Sequence, residues 1–229
     1  MPESVPLSSQ KLSRHTLVWV RPEFRASVAA QITDDAMHAQ ATAWLAADRP
    51  LVVARQPDDK VSETISVGLA LPPAQVKRRI ALRVAAHDIA RYTPPMLLAD
   101  ATTHAPTEWQ PALAELVSAA TKLDLELRVF GSLAWQALSG LPYLTPQSDI
   151  DLLWHPQSHT QLQQGIELLA RWEQSSGLRA DGEVLFGGSG AVSWREWSTI
   201  KSGVDQRVLV KRTSSAELVD ARKLLELLA

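Results

Sequence analysis

The sequence predicts an α/β (α+β) protein built from two parts, with a mixed sheet in the C-terminal part. Apolar residues recur at helical spacing over residues 109–123, whereas apolar and polar residues alternate over residues 125–130, as in a half-buried strand. A segment rich in proline and threonine, residues 92–107, separates the two parts. We therefore expect a smaller N-terminal accessory domain over residues 1–105 and a C-terminal catalytic domain over residues 106–229, each long enough to bury a core.

The N-terminal part is expected to contain three short apolar strands and two helices. Residues 1–13 are polar and bear prolines, so we expect them to be loosely ordered. The strands are predicted at residues 17–20, 51–54 and 63–71. The helices are predicted from Asp34, which suits an N-cap, to Ala47 and from Ala74 to about Arg91.

The predicted helix over residues 74–91 carries the most concentrated positive charge in the chain. Its basic residues are Lys77, Arg78, Arg79 and Arg83. Such runs are usually solvated helix faces, and this is the default interpretation. An anionic substrate or an acidic carrier protein would also use such a face, so it stays a candidate binding surface.

The C-terminal part alternates helices with strands. A first helix follows a capping box formed by Thr107 and Gln110, and it leads directly into the strand at residues 125–130. A short helix after this strand is stopped by Gly140 and Pro142. The later elements are predicted to be a strand at residues 149–154, a helix from the Ser158 cap to Gly177, strands at residues 179–186, 192–197 and 208–211, and a last helix from Ser214 or Ser215 to Leu228.

Four residues in the middle of this part form a pattern that suits phosphate chemistry. Asp149 and Asp151 stand at i and i+2 on one strand, so both carboxylates project from the same face. Like charges held that close repel unless a cation lies between them, and Mg²⁺ is commonly bound by one or two carboxylates plus phosphate oxygens. Gly131 and Ser132 precede a helix, where a glycine permits close approach and the first amides favour an anion. Asp149 and Asp151 are therefore predicted to be catalytic Mg²⁺ ligands, and Gly131 and Ser132 to bind a triphosphate.

Each half of this pattern also has an ordinary structural explanation. An Asp-x-Asp sequence is common on solvent-facing strand edges, and Gly-Ser is a common turn. Their conjunction is the stronger signal, because strand, Gly-Ser, short helix, loop and Asp-Ile-Asp strand follow in the order that metal-promoted displacement at phosphorus requires. The functional interpretation is therefore favoured.

A third carboxylate for the same site is predicted on the strand at residues 179–186. Alternation places Asp181 and Glu183 on one face of this strand, and either would complete the metal site or serve as base. An Asp-Gly turn followed by an exposed glutamate, with no role in the site, is nearly as good an interpretation. Glu183 is favoured over Asp181 as the catalytic residue, because Asp181-Gly182 has the composition of a turn. Asp181 stays a candidate for binding substrate.

Two cations further along the chain are candidates for neutralising the phosphates of a substrate. Arg195 would bind a phosphate through two parallel hydrogen bonds, and pairing with Glu196 or another carboxylate is an equally good structural role. Lys211, on the strand at residues 208–211, would add a second positive charge.

Composition and charge exclude several classes of function. The formal net charge of −2 gives no overall attraction to nucleic acid. There are no cysteines, which excludes disulfides and thiolate metal sites and suits a reducing cytoplasm. No apolar run approaches the roughly 20 residues needed to span a bilayer, and the first residues lack the apolar centre of a signal peptide. We expect a cytoplasmic protein with no nucleic-acid and no membrane partner.

The central pattern resembles the signature of a known superfamily. Phe130-Gly131-Ser132, followed by Asp149-Ile150-Asp151-Leu152, is similar to the signature of the nucleotidyltransferase superfamily that includes DNA polymerase beta. The gap between its two halves is longer than usual in that superfamily, so the loop at residues 142–148 would be an elaboration. Within the superfamily the chain resembles the MdcG family over nearly its full length, through the central pattern and through residues 14–19, 93–100, 181–184 and 192–197.

This resemblance implies a specific activity. It implies a nucleotidyltransferase that uses Mg²⁺ to transfer the phosphoribosyl-dephospho-CoA group from 2′-(5″-triphosphoribosyl)-3′-dephospho-CoA, with release of diphosphate. The acceptor would be a serine of the apo acyl carrier subunit of malonate decarboxylase. The N-terminal domain would recognise either this carrier protein or the dephospho-CoA arm of the donor. From the residues alone, two alternatives stay open: a nucleotidyltransferase acting on another hydroxyl, and a module that binds a nucleotide without catalysis.

Overall fold

The chain folds as two compact units, Met1–Pro94 and Pro95–Ala229, each containing helices and a sheet, which confirms the α+β class. The computed structural model describes residues 12–57, 64–72, 78–200 and 206–228. The second unit begins earlier than the sequence interpretation placed it, because Met96–Leu97 hydrogen-bonds into its sheet. Leu98 and Ala101 are fully buried, so this proline- and threonine-rich stretch belongs to a folded core.

The first unit is built on a five-stranded antiparallel sheet with the spatial order β4-β3-β2-β1-β5. Its strands are β1 (Leu17–Val20), β2 (Leu51–Val53), β3 (Thr64–Ala70), β4 (Arg79–Ala85) and β5 (Ile89–Thr93). Two helices, α1 (Arg25–Ala29) and α2 (Asp35–Ala46), connect β1 to β2. The Asp34 carboxylate accepts a 2.8 Å hydrogen bond from the Met37 amide, which confirms the predicted N-cap of α2.

The helix predicted over residues 74–91 is wrong for the part that the structure describes. Residues 79–85 form β4, which pairs with β3 along its whole length, and Lys77 lies outside the described residues. Exposure alternates strictly from Arg79 to Val84, with Ile80, Leu82 and Val84 buried and the residues between them exposed. This period of two is that of a strand. The basic residues Arg79 and Arg83 therefore share one exposed strand face.

The second unit is built on a seven-stranded mixed sheet with the spatial order β12-β11-β10-β9-β8-β7-β6. Its strands are β6 (Met96–Leu97), β7 (Arg128–Val129), β8 (Ile150–Trp154), β9 (Ala180–Leu185), β10 (Ala191–Ser193), β11 (Arg207–Lys211) and β12 (Ala216–Asp220). Its helices are α3 (Leu98–Ala101), α4 (Gln110–Thr121), α5 (Gly131–Ser139), α6 (His159–Ser176), α7 (Trp194–Ser198) and α8 (Ala221–Leu225). The pair β8 and β9 is parallel and joined through α6, whereas the other described pairs are antiparallel.

The ends of the helices follow local signals in most cases. Gly140 and Gly177 adopt φ of +70° at the ends of α5 and α6, and the Ser158 hydroxyl caps α6 by accepting from Gln161 at 3.1 Å. The predicted capping box before α4 is wrong. The Gln110 side chain instead donates to backbone carbonyls of residues 103 and 105, because α4 starts at Gln110, two residues later than the box requires.

Two of the later elements also differ from prediction. The strand predicted at residues 192–197 stops at Ser193, and α7 follows directly. The last predicted helix is a strand in its first half, β12, because residues 216–220 pair with β11 along the whole length of both strands. The true cap is Asp220, whose carboxylate accepts a 2.9 Å hydrogen bond from the Arg222 amide at the start of α8.

The core of the second unit lies against one face of its sheet. Ile150, Leu152 and Trp154 of β8 point into it and are at most 2% exposed. The alternate residues of β8 consequently face the other side, and this alternation positions the carboxylates described below. Within the described residues, no helix is long and apolar enough to cross a membrane.

Candidate active site

The start of α5 lies directly against a carboxylate of β8. Gly131 has φ of +65°, and a Cβ atom built on it would lie only 1.8 Å from Oδ2 of Asp151. The neighbouring backbone is tied to the same strand, since the Phe130 amide donates to the Asp151 carbonyl at 3.1 Å. Only glycine meets both conditions, a positive φ and a carboxylate where the side chain would stand. The structure therefore brings together Gly131 and Asp151, which the sequence placed in one site.

Asp149 directly precedes β8, two residues before Asp151. Its Oδ1 atom is buried and has no hydrogen-bond donor among the described residues. Its nearest cation is Arg179, whose Nε is 3.4 Å away and whose side chain is mostly exposed. Burial of a carboxylate oxygen without a hydrogen bond is unfavourable, and a bound cation would offset this cost.

Ser132 is the second residue of α5 and is only 4% exposed. The first amides of a helix have no acceptor within the helix, so they point out of its N-terminus. At α5 these amides lie beside the Asp151 carboxylate, because Gly131 is in contact with it. The start of α5, a place where helices can bind anions, therefore lies next to the Asp151 carboxylate.

The two candidates for the third carboxylate have different neighbours. Asp181 of β9 is directly opposite Asp151 in the parallel pairing, whereas Glu183 is opposite the buried Leu153. Glu183 is itself 4% exposed, and its Oε1 accepts a 2.9 Å ionic hydrogen bond from Nζ of Lys211. Parallel partners in register project to the same face, so Asp181 stands beside the aspartate pair.

The sequence argument for preferring Glu183 does not hold in the structure. Asp181 and Gly182 lie inside β9, where the turn predicted for them is absent. Gly182 has φ of +135°, and a Cβ atom on it would lie 1.9 Å from the carbonyl oxygen of Leu152. The glycine is needed for close approach of β8 and β9. The Asp181 carboxylate accepts a 2.7 Å hydrogen bond from the Gly182 amide, which orients it within the strand.

Arg195 has partners inside the protein. Its guanidinium contacts the Glu173 carboxylate, donates to the Ala180 carbonyl at 2.6 Å and stacks on the Trp194 ring at 4.7 Å. The same Glu173 oxygen accepts from the Ala180 amide at 2.7 Å. This network ties the end of α6 to β9 and α7, which is the structural role that the sequence left open for Arg195. Lys211, by contrast, is 41% exposed at its side chain and borders the sheet face that carries the aspartates.

The acidic residues present suit a hard divalent cation held partly by substrate. The described residues contain no group of three or more carboxylate, histidine or cysteine side chains that could enclose a metal ion by themselves. Asp149 and Asp151 supply carboxylate oxygens two residues apart, and the buried Oδ1 atom of Asp149 accepts no hydrogen bond from the described residues. Mg²⁺ typically takes one or two carboxylates and completes its shell with water and phosphate oxygens. The pair fits such an ion.

Two contributors to this site carry no recognisable signal in the sequence. Arg179 reaches Asp149 only because β8 and β9 run parallel, with the Ile150 amide donating to the Arg179 carbonyl at 2.8 Å. Gln136 of α5 reaches the loop that leads to Asp149 through its side-chain amide. Neither contact follows from local spacing, because each depends on how separate segments pair.

The chain matches one protein family over both units. Residues 13–95 match the family described as phosphoribosyl-dephospho-CoA transferase MdcG N-terminal domain, and residues 97–222 match the corresponding MdcG C-terminal domain. A phosphoribosyl-dephospho-CoA transferase of Xanthomonas campestris pv. campestris (strain 8004) is 42% identical over 206 residues, which are 90% of this chain and 93% of the relative.

More distant relatives carry the same description. The phosphoribosyl-dephospho-CoA transferase of Bradyrhizobium diazoefficiens is 35% identical over 208 residues, which are 90% of this chain and 89% of the relative. No solved structure matches the chain. All of these relatives are described as transferases, and the matches cover almost the whole chain. The protein belongs to the MdcG family of phosphoribosyl-dephospho-CoA transferases, as its sequence pattern predicted.

Proposed function

We propose that this protein transfers the phosphoribosyl-dephospho-CoA group of 2′-(5″-triphosphoribosyl)-3′-dephospho-CoA to a serine of the apo acyl carrier subunit of malonate decarboxylase. Family membership supports the group that is transferred. The observation that carries the chemistry is the contact of Gly131, at the start of α5, with the Asp151 carboxylate. This contact supports the proposal, because transfer from a triphosphate calls for phosphate-binding amides close to carboxylates that can hold a metal ion.

The proposed reaction is a displacement at one phosphorus atom. The serine oxygen attacks the phosphorus next to the ribose, a new P–O bond forms, and the bond to the diphosphate breaks. The hydroxyl proton passes to a carboxylate, and diphosphate leaves with the electron pair. The amides at the start of α5 and the Ser132 hydroxyl would hold the phosphates in position. Mg²⁺, held by Asp149 and Asp151, would neutralise charge on the phosphate oxygens.

We assign the base to Asp181 in preference to Glu183. Asp181 lies in register with Asp151, whereas Glu183 is engaged with Lys211 and nearly buried. A base must reach the proton that it accepts, and Asp181 is the carboxylate beside the aspartate pair. Lys211, whose side chain is 41% exposed, would contribute positive charge toward the leaving diphosphate while it stays paired with Glu183.

The basic face of β4 is our candidate for recognising the carrier protein. Arg79 and Arg83 are exposed on this strand, and on its exposed face only Ala81 lies between them. An acidic carrier surface would be attracted to them, and such attraction mainly raises the rate of encounter. The predicted Lys77 contribution lies outside the described residues.

Diphosphate release tests the reaction class. The protein would be mixed with Mg²⁺, the triphosphoribosyl-dephospho-CoA donor and the apo carrier subunit, and diphosphate would be followed with a coupled assay. We expect release only when donor, carrier and metal are all present. The Asp151→Asn variant should release diphosphate at least about 100-fold more slowly, since it removes one charged ligand. Rapid release by this variant would remove the aspartate pair from the mechanism.

A further inference from the structure

The loop between α5 and β8 is held by one side chain of α5, Gln136. Its Oε1 atom accepts hydrogen bonds from the amides of Tyr143 and Leu144, at 3.0 and 3.1 Å. Its Nε2 atom donates to the His104 carbonyl at 2.6 Å. One amide group therefore joins three segments: the helix that begins at Gly131, the turn before α4, and the loop that leads to Asp149.

The loop is also joined to α5 at its start, where the Leu141 amide donates to the Ser139 hydroxyl at 3.1 Å, and the two bonds to Gln136 lie further along the path to the aspartate. Tyr143 is 1% exposed, and its ring stacks on Trp135 of α5 at 6.3 Å. After Leu144 the chain closes on itself, since the Thr145 amide donates to the Ser148 hydroxyl at 2.9 Å and the Ser148 amide donates back to the Thr145 carbonyl at 2.9 Å. Asp149 follows this closed turn immediately, and the next fixed point is the Ile150 amide in β8.

We propose that Gln136 is a positioning residue, which sets the distance of Asp149 from the start of α5 by fixing the loop at Tyr143 and Leu144. This inference rests on the proposed role of Asp149 as a cation ligand and deepens it. The start of α5 is already fixed to Asp151 through Gly131. Gln136 fixes the other aspartate to the same helix, so α5 acts as a common reference for both carboxylates.

The physical reason lies in the sensitivity of ion binding to ligand geometry. Mg²⁺ demands near-ideal octahedral geometry, and a displacement of about 1 Å at a reacting centre can cost about 100-fold in rate. In the part of the chain that the structure describes, the buried Oδ1 atom of Asp149 has one cationic neighbour, Arg179 at 3.4 Å, and no hydrogen-bond donor, so its own contacts do little to hold it. The loop anchor therefore matters more than it would for a well-bonded carboxylate.

Gln136→Met and Gln136→Glu separate positioning from stability. Methionine has a similar shape and makes none of the three hydrogen bonds. Glutamate keeps an acceptor for both loop amides, and a charged acceptor strengthens such bonds, while it loses the donor to His104. Gln163→Met is the matched control, because Gln163 is an exposed residue of α6 whose side chain donates to Glu167.

The readouts are amide hydrogen exchange of peptides spanning residues 141–149, Mn²⁺ binding by electron paramagnetic resonance, and the Mg²⁺ dependence of transfer. In Gln136→Met we expect faster exchange of these peptides, weaker Mn²⁺ binding by about tenfold and a loss of turnover of about ten- to 100-fold. In Gln136→Glu we expect these peptides to exchange about as fast as in the unsubstituted protein. Turnover should stay within about threefold of the unsubstituted value, even if Tm is lower. Gln163→Met should change none of these.

Two results would overturn the proposal. One is Gln136→Met with unchanged exchange at residues 141–149 and unchanged Mn²⁺ affinity. The other is a loss of turnover in both Gln136→Met and Gln136→Glu that simply follows the fall in Tm of each variant, which is the result expected of a purely structural role. If no variant transfers the group, the unsubstituted protein included, the proposed function fails while exchange and Mn²⁺ binding still decide the role of Gln136.

Discussion

Gly131 makes the closest contact of the candidate site, and its replacement by alanine is the sharpest test of one residue. A Cβ atom would collide with the Asp151 carboxylate and would also force a positive φ on a non-glycine residue, which costs about 1–2 kcal/mol. We expect Gly131→Ala to lose transfer by at least about 100-fold, because the carboxylate must move. The measurement is initial rate at saturating donor.

Gly140→Ala is the control for backbone strain. Gly140 has φ of +70°, close to that of Gly131, but a Cβ atom there would meet nothing within 4 Å. Both variants therefore carry a similar conformational cost, and only one disturbs Asp151. Equal loss of activity in the two variants would show that the Asp151 contact has no special importance.

Replacement of the base candidates separates their roles. Asp181→Asn should lower kcat by about 100- to 10,000-fold, the usual contribution of a general base, and should leave Tm almost unchanged. Glu183→Gln should mainly lower Tm, because it breaks the ion pair with Lys211 at a buried position. If Glu183→Gln lowers kcat strongly and Asp181→Asn does not, Glu183 is the base, as the sequence favoured.

Arg195 is expected to affect folding more than substrate binding. Arg195→Ala removes the contacts with Glu173 and Ala180, at a cost of about 1–3 kcal/mol, and each kcal/mol lowers Tm by about 2–4 °C in a chain of this size. We expect KM for the donor to change by less than about twofold. Arg171→Ala, at an exposed arginine of α6, is the control. A large rise in KM without loss of Tm would assign Arg195 to phosphate binding.

At the scale of single elements, the sequence predicted those that carry strong local signals. The N-cap residues Asp34 and Ser158 and the glycines that end α5 and α6 are all in place. The sequence wrongly predicts a helix where β4 lies, because its arginines resemble one face of a helix, whereas Ile80, Leu82 and Val84 alternate with exposed residues as in a strand. Exposed residues at every second position, here two arginines and an alanine, are typical of a strand exposed on one face.

The remaining differences between the predicted and the observed elements arise from pairing between segments that are distant in sequence. Residues 216–220 are a strand because β11 supplies hydrogen-bond partners, which local helix propensity does not reveal. The register that places Asp181 beside Asp151 arises in the same way, from the parallel pairing across α6. The sequence therefore predicted Gly131, Ser132 and both aspartates as a group, and it ranked the third carboxylate by a turn that does not form.

The exposed face of β4 gives a prediction for carrier recognition. The double variant Arg79→Glu and Arg83→Glu should raise KM for the carrier several-fold with little change in kcat, and added salt should reduce the difference. The measurement is transfer rate against carrier concentration at two ionic strengths. Lys122→Glu with Arg171→Glu makes the same change of net charge at exposed residues of the second unit. An equal effect of both double variants would show that only net charge matters.

For the whole molecule, binding of donor and metal should raise Tm. At a donor concentration of about 100 times Kd, linkage gives about 2.7 kcal/mol, which corresponds to roughly 5–10 °C for a chain of this size. Asp151→Asn should lose the part of this rise that depends on Mg²⁺, because one of the two ligand carboxylates is gone. An identical rise in this variant would mean that the metal binds elsewhere. Thermal unfolding with and without Mg²⁺ measures the difference.

The most direct test of the proposed function is the mass of the carrier protein after reaction. The apo carrier subunit would be incubated with this protein, Mg²⁺ and the triphosphoribosyl-dephospho-CoA donor, with Asp149→Asn as the control, and analysed by intact-protein mass spectrometry. We predict that the carrier gains the mass of one phosphoribosyl-dephospho-CoA group, on serine, only with the unsubstituted enzyme. A carrier of unchanged mass, in the presence of folded enzyme that binds donor and Mg²⁺, would contradict the assignment of this acceptor.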